Sequence, residues 1–573
     1  MCHASNPPAN LDISAPFVKP LPTRSPNVDE NPLEPTSLSP TGENINFFKA
    51  RKRTCVINVD YFASMLVDHP DQPLVAYIVD GLRNGFDIGF SGVFTETKPK
   101  NNKSALNNKE AVTKAIEKEI ARGHTAGPFK EPPFQSVHCS PIGCVPKKDG
   151  TVRLVMDLSQ PRGQAINEGI AKEDFAVQYS HFDDATKLVR DMGKDCLMSK
   201  LDIKHAYRLL PVRSDQWHLL AYFWEGNYYV DMVLPFGLRS SGGIFNHFAN
   251  LVCWIINHKY GVTNLIHYSD DFFLVGAKDV ALAEKELAIV KQAFQDMGIP
   301  LATDKIEGPS TEMIYLGILI NSKDLTIAIT PDRYSDITSV LPKWMSRRTC
   351  TKTEILSLIG VLSFVAKVVR PGRTFLRRLI DLSTTVKRQH HHITLNNESK
   401  CDIQWWIKCL PEWKSSSMIP EPGQILTADI QLYTDASDIG FGAVYGRRWI
   451  RGGWDAIRQD KCINYRELFA IVAATMTWGH EWKGKRIVFL TDNKTITHVW
   501  SSGTSPSPTL MSLIRPLFLT AAKGGFSIAF KHIYGIRNPI ADALSRFQMA
   551  KFFRLMPDAD TNPTDTPQLL WSC

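Results

Sequence analysis

Tyr268-Ser269-Asp270-Asp271-Phe272 sets two carboxylates side by side between two apolar runs, Asn264-Leu265-Ile266-His267 and Phe273-Leu274-Val275-Gly276. The pattern predicts two short strands joined by a tight turn with the aspartates at its tip. Adjacent carboxylates repel, and a divalent cation is the simplest neutraliser; Mg²⁺ prefers an all-oxygen shell. A solvated Asp-Asp turn is the ordinary alternative for an isolated pair, but this pair has company. Upstream, Ser199-Lys200-Leu201-Asp202-Ile203-Lys204-His205-Ala206-Tyr207-Arg208 predicts a strand entering a short helix, with Asp202 at the strand's end facing a cleft. Between them, Leu234-Pro235-Phe236-Gly237-Leu238 feeds a small-residue helix start, Ser240 to Asn246. Free backbone N–H groups there suit an anionic ligand. Three aspartates around such a site suit two-metal phosphoryl transfer.

These blocks, in this order and spacing, resemble the palm of reverse transcriptases, whose signature is Tyr-x-Asp-Asp. Pro146-Lys147-Lys148-Asp149-Gly150-Thr151-Val152-Arg153 resembles the fingers hairpin of the same family, and Asp304-Lys305 with Tyr315-Leu316-Gly317-Ile318 resembles its last palm elements, including the primer grip. The resemblance implies Asp202 and Asp270 as main metal ligands with Asp271 in support, two Mg²⁺ (or Mn²⁺) per site, and Lys147 and Arg153 on the triphosphate. It places Tyr207 under the incoming sugar and Asn246 against the incoming nucleotide. The family usually has Gln at Asn246 and Ala-Pro at Ser241-Gly242. The shorter Asn loosens the nucleotide contact, and Gly242-Gly243 lower helix propensity by about 1 kcal/mol each.

A second set of acids follows. Asp435 lies in the apolar run Leu432 to Ala436, before the Gly-rich turn Gly440-Phe441-Gly442. Glu467 opens a helix-forming run, Asp492 ends the strand-like Ile487 to Thr491, and Asp542 follows His532 and Asn538. Taken singly, each is an ordinary surface acid. Together Asp435, Glu467, Asp492 and Asp542 resemble the four-carboxylate site of ribonuclease H, with His532 at that family's mobile histidine. The resemblance implies two further Mg²⁺ and cleavage of the RNA strand of an RNA–DNA hybrid, with His532 assisting product release or proton transfer.

Polymerase followed by ribonuclease H is the order of retroelement reverse transcriptases. Ile359 to Leu379 and Asn84 to Gly92 resemble DIRS-type retrotransposons. The expected fold is α+β: a polymerase right hand (fingers, ferredoxin-like palm, helical thumb and connection) joined to an α/β ribonuclease H-like domain. Expected partners are an RNA template, a DNA primer, RNA–DNA hybrid and deoxynucleoside triphosphates. A recombinase and a nucleocapsid-like protein are expected on separate chains. The surviving acids disfavour a domesticated, non-catalytic scaffold, and the second acid set disfavours an RNA-directed RNA polymerase or group II intron-type enzyme.

The elements that position these residues follow from composition and punctuation. The chain has 573 residues, 43% hydrophobic and 22% charged, with a formal net charge of +8. That length suits three or four domains, and a basic surface offsetting acid clusters suits nucleic acid. The 11 cysteines show no regular spacing and read as free thiols in a reducing compartment. No signal peptide or membrane-length apolar run is seen, so an intracellular location, cytoplasmic or nuclear, is expected. Nine of the 35 prolines fall between residues 7 and 40, so residues 1–50 are expected to be disordered. A lead-in spans 51–130, including an amphipathic helix over Lys109–Arg122. Fingers and palm span 131–335. Thumb and connection span 336–427, opening with a capping box at Thr351-Lys352-Thr353-Glu354. The second catalytic domain spans 428–547, and a flexible tail 548–573.

Overall fold

The computed structural model describes residues 56–147, 150–177, 180–412, 416–418, 429–524 and 526–567. The Pro-rich segment 1–50 lies outside the described residues. By contact the chain divides into two compact units, Met1–His181 with Met198–Pro309, and Phe182–Leu197 with Ser310–Cys573.

The first unit is built on a four-stranded sheet in the order Leu265–Tyr268, Asp271–Gly276, Leu197–Asp202, Glu307–Ser310. The β-rich runs Leu265-Ile266 and Phe272–Val275 alternate or are wholly apolar, as a sheet under helices requires. Helices Ser241–Lys259 and Val280–Asp296 bury Phe245, Phe248, Ile255, Val290 and Phe294 in the same core as Phe272 and Leu274. A second sheet, Thr125–Phe129, Asn227–Asp231 and Ala221–Trp224, and the hairpin Ile142–Pro146/Val152–Met156 complete the unit. The expected amphipathic helix is found at Lys109–Ala121, with Val112 and Ile116 buried. Residues 56–130 share the core through Phe62, Ile78, Leu82 and Phe86, so this segment is part of the unit rather than a lead-in to it.

Two glycines of the Pro-Phe-Gly region are dictated by close approach. Gly237 has φ +108°, and a Cβ there would stand 2.0 Å from the Met156 carbonyl oxygen. This turn can lie against the hairpin only without a side chain. At Gly243 a Cβ would meet the Phe175 carbonyl oxygen at 2.9 Å. The helix propensity lost at Gly243 is therefore exchanged for backbone contact.

The second unit begins earlier than the expected palm boundary at 335. Strand Thr326–Ile329 pairs with Ser416–Met418 and, through Ile318–Asn321, with Glu312–Tyr315. Long-range pairing of this kind pulls residues 310–335 into the later unit. The capping box is present: the Thr351 hydroxyl accepts from the Glu354 N–H and the Glu354 carboxylate from the Thr351 N–H, opening helix Lys352–Val365. Trp405 stacks on Phe375 at 3.9 Å and Trp406 is fully buried, so both tryptophans pack the interior. Of the basic residues after this helix, Arg377 pairs with Asp381, and Arg378 with the buried Asp402 at 3.1 Å.

Five strands follow in the order Arg448–Gly453, Gly440–Tyr445, Ile430–Ala436, Arg486–Thr491, Ser527–His532. The first three are antiparallel and the last two join in parallel. Helix Ile463–Trp478 is buried along most of its length in the core with Phe441, Trp482 and Phe489. The tail departs from expectation. Helix Met549–Leu555 buries Phe552 against Trp449. The Trp449 indole donates to the Asp560 carbonyl at 2.7 Å, and the Thr564 N–H to the Trp449 carbonyl at 2.8 Å. Residues 548–567 are thus docked, because Met549, Phe552, Phe553 and Met556 supply an apolar stripe at helical spacing. Among the described residues eight cysteines are free thiols, and no helix is long and apolar enough to cross a membrane.

Candidate active sites

In the first unit, Tyr268 pairs with Asp271 across a two-residue turn whose Ser269 has φ +56°. Asp271 therefore begins the second strand, and the Ser269-Asp270 pair forms the turn. The Asp270 carbonyl accepts from the Ile203 N–H at 3.1 Å, which ties the turn to the end of the Asp202 strand. His267 braces it from below, its Nε2 2.8 Å from Asn250 Oδ1 and its Nδ1 3.2 Å from the Ser269 carbonyl.

Burial raises the Asp202 pKa, and Asp270 adds to the rise, while Lys305 opposes it. Burial, then Asp270 and Asp202, pushes Asp271 up to about 6. Lys305 Nζ donates to both Asp202 oxygens, at 2.9 and 3.0 Å. A cation is thus already held at this carboxylate. Crowded acids with raised pKa values and oxygen-only donors fit a hard divalent cation.

Asp202 and Asp270 line a cavity of about 1050 Å³, together with Lys147, Arg153, Lys204 and Lys305. The hairpin carries Arg153 opposite Val145, and the Arg153 guanidinium stands 5.0 Å from the Phe236 ring. Lys148 and Asp149 lie outside the described residues. Tyr207 and Asn246 are not among the lining residues. Tyr207 packs against Phe236 and Phe245 at 5.5 and 5.3 Å, and Asn246 is buried in its helix.

One group in the wall escaped sequence reasoning. Arg208 is buried and forks onto Asp231, with Nη1–Oδ2 at 2.5 Å and Nη2–Oδ1 at 3.1 Å. Its Nε donates to Glu119 at 3.0 Å, and Glu119 also meets His124 at 2.9 Å. Burial pushes the Glu119 carboxyl up, but His124 and Arg208 hold it well below the usual range. The network anchors the turn that follows Asp202, where His205 and Ala206 have φ of +73° and +44°. Arg208→Ala leaves the buried Asp231 carboxylate with only the Thr125 hydroxyl, at 2.6 Å, to compensate it and is expected to cost about 3–5 kcal/mol. Denaturant unfolding checks this; a loss under about 1 kcal/mol would contradict a buried network.

In the second unit, Asp435, Glu467 and Asp492 each bring a carboxylate oxygen within 4.8 Å of the others. Asp435 lies on the central strand opposite Gly442, Asp492 just beyond strand Arg486–Thr491, and Glu467 in the first turns of its helix. Burial, with Asp492 and Asp542 adding, pushes Asp435 up to about 7 despite a 2.6 Å hydrogen bond from Ser545. Burial, Asp435 and Asp492 push Glu467 up to about 9. Its Oε2 is buried without a hydrogen-bond partner. A buried, unsatisfied carboxylate oxygen on a residue clustered with two other acids fits a divalent cation.

Asp542 stands outside that trio. Burial raises its pKa, but hydrogen bonds from Arg546 at 2.7 Å and Lys551 at 3.3 Å hold it below the usual value. His532 ends strand Ser527–His532, its Nε2 3.1 Å from the Asp492 carbonyl oxygen. Ser545, three residues after Asp542 on one helix, is the other partner that sequence reasoning passed over.

Residues 145–320 match the family model described as reverse transcriptase (RNA-dependent DNA polymerase). The matched residues contain Asp202, Asp270 and Asp271. The Tf2-3 and Tf2-7 transposon polyproteins of Schizosaccharomyces pombe are 24% identical over 451 residues, covering 75% of this chain. The chain spans 30% of the length of those relatives. Among solved structures, a foamy viral protease-reverse transcriptase in complex with double-stranded DNA matches at 15% identity and TM-score 0.48, covering 83% of this chain and 82% of that one. Its counterpart in complex with RNA/DNA hybrid matches at 15% identity and TM-score 0.46, covering 83% and 63%.

Proposed function

We propose that this chain is an RNA-directed DNA polymerase of a retrotransposon that also cleaves the RNA strand of RNA–DNA hybrids. The observation that carries the first activity is the match of residues 145–320 to the reverse transcriptase family, with Asp202 and Asp270 in one cavity with Lys147 and Arg153. Lys147 and Arg153 hold the β- and γ-phosphates of a deoxynucleoside triphosphate. Asp202, Asp270 and Asp271 would hold two Mg²⁺, which would compete with Lys305 for the Asp202 oxygens. When bound, such ions activate the primer 3′ hydroxyl and stabilise the charge on the leaving phosphates.

The second activity is supported by the carboxylate trio brought together on a five-stranded sheet. Asp435, Glu467 and Asp492 would hold metal, and Asp542, now paired with Arg546 and Lys551, would complete the set. His532 lies beside Asp492 to assist proton transfer or product release. Primer extension on an RNA template, read for synthesis and for loss of the RNA strand, tests both parts. Assignment to the DIRS-type class rests on Ile359–Leu379 and Asn84–Gly92. RNA template, DNA primer and hybrid are the macromolecular partners.

Tyr207 selects the sugar. Its ring lies against Phe236, which lines the cavity, and a rigid wall there excludes a 2′ hydroxyl. Tyr207→Ala is expected to raise ribonucleotide over deoxyribonucleotide kcat/KM by about tenfold or more while extension persists. An unchanged ratio in a folded, active variant would reduce Tyr207 to packing.

A further inference from the structure

We propose that the loop Ile533–Asn538 is a wedge whose tip residues, Tyr534 and Ile536, seat in the minor groove of a bound RNA–DNA hybrid. The inference rests on the hybrid-cleavage reading above and adds to it the residues that engage the groove. Ile536 is 89% exposed and Tyr534 69%. Scattered exposed apolar side chains are ordinary, but these two flank one glycine beside a cluster of acids.

The loop is firmly hung. The Ile533 N–H donates to the Thr491 carbonyl at 2.9 Å, and the buried Asn538 amide to the Thr434 carbonyl at 2.9 Å. Within the loop, the Arg537 N–H donates to the Tyr534 carbonyl at 2.7 Å and the Asn538 N–H to the Gly535 carbonyl at 2.9 Å. A tip fixed in this way loses little freedom on binding, so its apolar area is available for contact.

Position then selects the partner. A Cβ at Gly535 would stand 2.9 Å from Asp492 Oδ2, so the loop's bare backbone presses on a candidate metal ligand. Tyr534 and Ile536 are exposed one residue to either side of that approach. Lys531 and Arg537 are exposed beside them, which favours a polyanion over an apolar protein face. The minor groove of an A-like duplex is wide and shallow and displays 2′ hydroxyls and base edges. Apolar side chains there pack on sugars or wedge between base steps. The Tyr534 ring also stands edge-on to His532 at 5.7 Å, so groove contact bears on the histidine's placement.

The test uses the full chain and a hybrid carrying end-labelled RNA, with Tyr534→Ala, Ile536→Ser and the double variant. Each site is exposed, so folding should survive, and thermal melting verifies it. The double variant is expected to raise the KM for hybrid cleavage about tenfold or more. The slope of log KM against log salt should stay unchanged, because no phosphate contact is removed. Primer extension should remain at the wild-type rate. A KM within about twofold of wild type would overturn the wedge, as would a fall in kcat that tracks a lowered Tm at constant KM. Should the wild-type chain extend primers but cut no hybrid, the hybrid-cleavage reading itself fails, and the wedge with it.

Discussion

Asp270→Asn is expected to lower DNA synthesis by about 10³-fold or more and to leave hybrid cleavage within about twofold of wild type. Asp492→Asn is expected to do the reverse. The two carboxylate sets belong to separate compact units, so each change removes one anionic ligand from one site. Asn keeps the size and most hydrogen bonds of Asp but cannot neutralise a divalent cation. Loss of both activities from either substitution, in a chain that melts like wild type, would sink the two-site account.

Glu467→Gln should abolish hybrid cleavage and yet make the metal-free protein more stable, by on the order of 1–3 kcal/mol. Glu467 is pushed up to about 9, chiefly by burial and then by Asp435 and Asp492. Its folded pKa therefore lies above the unfolded value of about 4.3. The folded chain holds a proton that the unfolded chain has released, so stability falls as pH rises from about 4 towards 9. Asp435, pushed up to about 7, adds to the same slope. Gln removes the larger part of it. A divalent cation acts in the opposite sense, because binding expels those protons and gains strength with pH. Melting curves at pH 5, 7 and 9, with and without Mg²⁺, check this. A Tm lowered by Glu467→Gln in metal-free buffer at pH 8 would contradict it.

What the sequence revealed is local. Asp202 at a strand end, the turn at Ser269-Asp270 and the capping box at Thr351 each depend on neighbours within a few residues, and propensity and spacing report those directly. Asp435, Glu467 and Asp492 each read alone as surface acids and were singled out only through their joint resemblance to the ribonuclease H set; strand order is what brings them together. Partners remote in sequence were not legible. Lys305 reaches Asp202 across 103 positions, and Arg208 reaches Glu119 across 89. A buried Arg in the sequence looks like any surface Arg until its carboxylates are placed. Strand Ser416–Met418 was too short to carry a period, so the pairing that draws residues 310–335 into the second unit was hidden. The docked tail was misread on composition: proline and polar residues masked the stripe Met549, Phe552, Phe553 and Met556.

The most direct test is one reaction in which the purified chain extends a DNA primer on an end-labelled RNA template with Mg²⁺ and deoxynucleoside triphosphates. The account predicts full-length DNA together with progressive shortening of the RNA, the shortening confined to template that has become hybrid. A folded chain that yields neither product with Mg²⁺ or Mn²⁺ would contradict it.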